Sequence, residues 1–170
     1  MKTPRLKQIR KLIKSLEKAG YRAPFNILAD HEFLAAYNKS QMGVAVLEKF
    51  LHGKIRLFTT LCEYRRYTAL VKDKALIGRV ALKKCAHKEE FRTQECLSDA
   101  VGDGNPAHYF LAVAGKHRRL KEEKKVPVIF MRSGVLCLEI GETEAAAIEK
   151  KSESAGLSEA EKQRLDELFS

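Results

Sequence analysis

The chain has 170 residues, of which 45% are hydrophobic, enough for one globular domain with a real core and short appendages. Lys and Arg outnumber Asp and Glu by 32 to 22, and the resulting net charge of +10 favours a polyanionic partner, because each neutralised phosphate releases counterions. No apolar run approaches the length of a membrane span, and the opening MKTPRLKQIRKLIKSL lacks the apolar stretch of a secretory signal.

The charge is unevenly placed. Residues 1–24 carry eight Lys or Arg against Glu17 alone, a net +7. Residues 116–125, KHRRLKEEKK, hold a second basic patch of +4, whereas the 29 residues from Glu142 onward sum to −4. The chain therefore divides into a basic N-terminal arm (1–24), a central domain (25–141) and an acidic C-terminal tail (142–170).

In chain order, Leu6, Ile9, Ile13 and Leu16 recur at helical spacing, and Gly20 ends that helix. PFNILAD is a short apolar strand finishing at Asp30, and HEFLAAYN opens a helix. A further helix spans Met42 to Leu51 and stops at Gly53. KIRLFTT reads as a strand, and Cys62 to Leu70 as a helix. Leu76, Val80 and Ala81 predict an amphipathic helix over Lys74 to Lys84. Glu95 to Val101 is helical, GDGNP a turn, HYFLAVA a strand, KHRRLKEE a helix, and VPVIFMR and GVLCLEI strands. In the tail, Ser158 with Glu161 makes a capping signature before a final helix. Strands alternating with helices imply an α/β fold with a mostly parallel sheet flanked by helices, whose function gathers at the carboxyl ends of the strands.

Cys85, His87 and Cys96, in KKCAHKEEFRTQECL, are the densest group of soft metal ligands, spaced C-x-H-x8-C. Zinc takes four such thiolate and imidazole ligands in a tetrahedron. Cys62 is the candidate fourth ligand and His108 the reserve, while Cys137 in SGVLCLEIG fits a buried strand. Spacing alone leaves open that these residues merely share a loop, because C-x-H-x8-C is not a common finger spacing.

A strand ending in Asp, a following cysteine helix, C-x-H-x8-C, then GNPAHYFLA and VPVIF, in this order, resemble the PIN-domain family of ribosomal RNA processing factors. That family includes the Fcf-one and UTP-twenty-three proteins, and YRAPFNIL with GNPAHYF points to the UTP-twenty-three branch. The resemblance runs from about Arg5 to Leu138. It implies a PIN-like fold with a CCHC zinc site at Cys62, Cys85, His87 and Cys96. It also implies a nucleolar setting, association with small-subunit processome proteins during early 40S maturation, and contact with pre-rRNA or an H/ACA snoRNA.

Active PIN nucleases cluster three or four carboxylates around magnesium or manganese. On the resemblance, Asp30 matches the first carboxylate and Glu95 another. Arg66 stands where a helix acid is expected and Gly115 where an Asp should follow a strand. Glu63 lies three residues before Arg66 and is discounted as a substitute, and Asp30 has an equal reading as a helix cap. The expectation is a degenerate nuclease that binds RNA without cutting it. Lys7, Arg10, Lys11 and Lys14 would neutralise phosphates, with His117, Arg118 and Arg119 near the strand relatives cleave. Tyr109 and Phe110 could stack on bases but suit a strand core better. The rival is a metal-dependent endoribonuclease using Asp30 and Glu95 with Asp99 or Asp103, and a protein-binding scaffold stands third.

Overall fold

The computed structural model describes residues 3–72, 76–85, 93–141, 163–164 and 167–168. The first helix, α1 (Thr3–Lys18), buries Ile9, Ile13 and Leu16 and leaves Lys7, Arg10, Lys11 and Lys14 exposed, so one helix face packs while the other carries charge. Gly20, at φ +110°, takes the left-handed backbone that ends it. Then come β1 (Phe25–Ala29), α2 (His31–Lys39), α3 (Val44–Leu51), β2 (Ile55–Thr60) and α4 (Leu61–Leu70). The chain continues through β3 (Val80–Lys83), α5 (Thr93–Val101), β4 (Tyr109–Ala112), the one-turn α6 (Leu120–Glu123), β5 (Val128–Arg132) and β6 (Val135–Glu139).

The six strands form one sheet in the order β3-β2-β1-β4-β5-β6. All neighbours pair in parallel except β5 and β6, with Ile27 beside both Leu57 and Phe110. Ser133 and Gly134, at φ +52° and +74°, make the two-residue turn that lets β6 run back along β5. Alternate strand residues face opposite layers. Ile27, Ala29, Phe110 and Ala112 join the core under α1, α2 and α3, whereas Leu28, Tyr109, Leu111 and Val113 join the core under α5 and α6. Tyr109 and Phe110 are thus core residues, and their rings do not offer a stacking platform.

Two expected elements differ. Over the described part of Lys74 to Lys84 the chain makes a 3₁₀ turn (Ile77–Arg79) and then strand β3, not a helix. The outer edge of β2 presents a row of backbone groups that Val80 to Lys83 satisfy by pairing with Leu57 to Thr60. KHRRLKEE likewise splits into a 3₁₀ segment (Gly115–Arg119) and α6. The tail helix expected after Ser158 lies mostly outside the described residues, although 163–164 and 167–168 are helical. No helix among the described residues is long and apolar enough to cross a membrane.

Candidate metal centre and the neighbouring acidic pocket

Sheet order reverses between β1 and β4, so the loops leaving these parallel strands open a crevice at their carboxyl ends. Asp30 follows β1, Thr60 ends β2 and Gly115 lies beyond β4, all at this end. Thr60 caps α4 by accepting the Glu63 backbone N–H at 3.3 Å. That turn aims two side chains in different directions, Cys62 toward β3 and α5, and Glu63 toward α2.

Cys62, Cys85 and Cys96 converge from α4, the end of β3 and α5, with their sulfurs within 4.8 Å of one another. Cys85 Sγ lies 3.7 Å from Cys62 Sγ and 3.3 Å from Cys96 Sγ. Four Zn–S bonds of about 2.3 Å set tetrahedral sulfurs about 3.8 Å apart, so the spacing suits a shared thiophilic ion. It is far too long for a disulfide, and none of the four cysteines is in one. Burial pushes the Cys85 thiol up, but hydrogen bonds from the Cys62 backbone, the Cys96 and Cys62 side chains and the Leu61 backbone outweigh it and lower the thiol to about 7. Those main-chain donors belong to the first turn of α4, where a helix favours a thiolate. Cys96 is pushed up to about 12, mainly by burial, against a hydrogen bond from Thr60 and with the neighbouring sulfurs adding to the rise.

His87 lies outside the described residues. His108 does not reach the trio; it precedes β4, at the opposite end of the sheet, where its ring packs edge-on to Tyr21 with centroids 5.0 Å apart. The turn carrying it is fixed by Asn105, whose buried amide bonds the Tyr21 hydroxyl, the Tyr109 carbonyl and the Tyr109 N–H. Cys137 is buried in β6, as its alternating stretch predicts.

The acidic side of the crevice is arranged differently. Asp30 is fully buried and caps α2, its Oδ1 accepting the Phe33 N–H at 2.7 Å and its Oδ2 the Ala114 N–H at 3.3 Å. Glu63, discounted from the sequence, is also fully buried here, and its Oε2 accepts from the His31 backbone N–H at 2.8 Å and meets His31 Nδ1 at 2.6 Å. Burial raises the Glu63 carboxyl, the His31 contacts oppose the rise, and the Asp30 charge adds to it, so the two carboxylates are near neighbours. The local signal was Thr60-x-x-Glu63, which reads as a capping box. The fold turns that glutamate to α2 because Asp30 brings His31 against the start of α4.

Gly115 is exposed, and a side chain there would approach Glu32 Oε2, at 3.9 Å. The side chain of Glu95 is outside the described set, Asp99 is exposed, and exposed Asp103 pairs with Lys124 at 2.9 Å. Among the described residues only the three cysteines gather as a metal-sized group. Arg118 lies over the Phe130 ring at 3.9 Å and pairs with Glu139 at 3.0 Å, while Arg119 is exposed beside Glu123. The side chain of His117 is not described.

The Fcf1 family model matches residues 49–140. The fission yeast rRNA-processing protein utp23 is 27% identical over 176 residues, an alignment spanning 95% of this chain and 67% of that protein. Among solved structures, the PIN domain endonuclease Utp24 superposes with a TM-score of 0.55 at 16% identity, over 71% of this chain and 95% of that one, a likeness of fold. With that family match over more than half of its length, the chain belongs to the Fcf1 family, and its sheet has the PIN fold.

Proposed function

We propose that this chain acts in rRNA processing as a catalytically degenerate PIN-domain protein, binding pre-rRNA or an H/ACA snoRNA together with small-subunit processome proteins in the nucleolus. Its likeness to utp23 supports the processing role. The observation that carries the degenerate reading is the use of Asp30: both its oxygens already accept main-chain N–H groups, and position 115 supplies no carboxylate beside it. A magnesium or manganese ion would require several oxygen ligands turned to one hydrated point.

Zinc is the cofactor we assign, held by Cys62, Cys85 and Cys96 with His87 as fourth ligand. When bound it supplies no chemistry of cleavage; it ties α4, β3 and α5 together. The RNA-facing surface is the exposed row Lys7, Arg10, Lys11 and Lys14 on α1, with Arg119 and its neighbours as a second patch, and the acidic tail is the protein-facing end. Reversing the four α1 charges to Glu should weaken RNA binding and flatten its salt dependence in a filter-binding assay, because phosphate contacts set that slope. Lys162→Glu with Arg164→Glu should change little. Equal binding by the α1 variant at moderate salt would make α1 a packing or protein-docking helix instead.

The second reading, a metal-dependent endoribonuclease, is favoured by one observation, the buried Glu63 carboxylate beside Asp30. Wild-type cleavage of single-stranded or precursor rRNA that requires manganese and disappears in Asp30→Asn would establish it. We expect none.

A further inference from the structure

The two oxygens of Glu63 differ in their surroundings. Oε2 accepts the His31 backbone N–H and lies within hydrogen-bonding distance of the His31 ring Nδ1. Oε1 is buried without a hydrogen-bond partner. His31 is the first residue of α2, so Oε2 also sits at a helix N-terminus, where negative charge is favoured. A hydrated divalent cation would need Glu63 and Asp30 turned to a common, solvated point. Here Asp30 faces the backbone of Phe33 and Ala114, Glu63 faces His31, and neither has exposed surface. The catalytic ion of active PIN nucleases does not fit these residues.

Building on the degenerate reading above, we propose that His31 and Glu63 form a latch that closes the pocket to divalent cations. The latch acts in addition to the missing acids: even with a carboxylate restored at position 115, Glu63 stays committed to α2. Cys62, adjacent to Glu63 and in the same capped turn, anchors that turn from the other side, so the cysteine trio and the latch position α4 together.

Manganese binding to the zinc-loaded full chain, followed by electron paramagnetic resonance, separates the latch from a simple shortage of ligands. Gly115→Asp is a tolerable background, because its φ of +53° is a conformation Asp adopts more readily than most residues. We expect no saturable manganese site in wild type or in Gly115→Asp. Adding His31→Ala should create one, with manganese affinity raised by roughly tenfold to hundredfold over the weak, non-saturating association of Gly115→Asp, the usual reach of a residue that orients a ligand. Adding Glu63→Gln should abolish it again, and His31→Asn, which keeps a donor near the Nδ1 position, should leave the pocket closed. A full site in Gly115→Asp alone would sink the latch and leave the degenerate reading intact, as would no gain in a His31→Ala form that retains its zinc. Wild-type cleavage is the separate outcome that overturns the degenerate reading itself. One readout needs no variant: manganese should not selectively broaden the His31 ring resonances of wild type, and such broadening would refute the proposal.

Discussion

Replacing Leu16 with Ala tests whether the basic N-terminal helix is part of the folded core or an appended arm. Leu16 has no exposed surface and sits with Ile9 and Ile13 in the cluster that also holds Phe25, Phe110 and Leu47. Removing its buried methyl groups loses their transfer energy and leaves a cavity, together about 2–5 kcal/mol. For a chain of 170 residues, each kcal/mol moves the melting temperature by about 2–4 °C, so the midpoint should fall by roughly 4–20 °C. Leu6, on the same helix but 40% exposed, is the control, and Leu6→Ala should cost within about 0.5 kcal/mol. Urea unfolding followed by circular dichroism gives both values on one preparation. If the two substitutions shift the midpoint equally, or Leu16→Ala leaves it unchanged, α1 is not docked as described and the argument for a shared core fails.

Other perturbations address the metal centre and the turn before β4. Purified protein should carry one zinc per chain by elemental analysis. Cys96→Ser should lose it and unfold at lower temperature, since binding of a structural zinc is folding energy, whereas His108→Ala should keep it because His108 lies at the far end of the sheet. Retention of zinc by Cys62→Ser would show that the ligand set is wrong. Asn105→Ala should cost about 2–4 kcal/mol, because it strips partners from the buried Tyr109 N–H and Tyr21 hydroxyl and places Ala at a φ of +49°. Asn105→Gly, which relieves only the backbone strain, should recover a minor part of that loss, and full recovery would mean the side-chain bonds contribute little.

By itself the sequence determined the elements whose signal is local. Ile9, Ile13 and Leu16 announce α1, PFNILAD announces β1 and its terminal cap, and Asp30 was readable as a cap because Ser, Thr, Asp and Asn accept backbone N–H groups wherever helices begin. The soft ligands Cys85 and Cys96 were equally visible, since reduced cysteines so close together have few structural uses. What only tertiary structure decided depends on partners distant in sequence. Val80 to Lys83 has enough apolar spacing for a helix and becomes β3 because the free edge of β2 is there to pair with. Cys62, 23 residues before Cys85, was preferred to His108, 12 after Cys96, but only the sheet put Cys62 against Cys85 and Cys96 and His108 at its opposite end. Glu63 was set aside as one turn out of place, and the packing of α2 against α4 made it a buried partner of His31, because a side chain's role is set by what the fold brings to meet it.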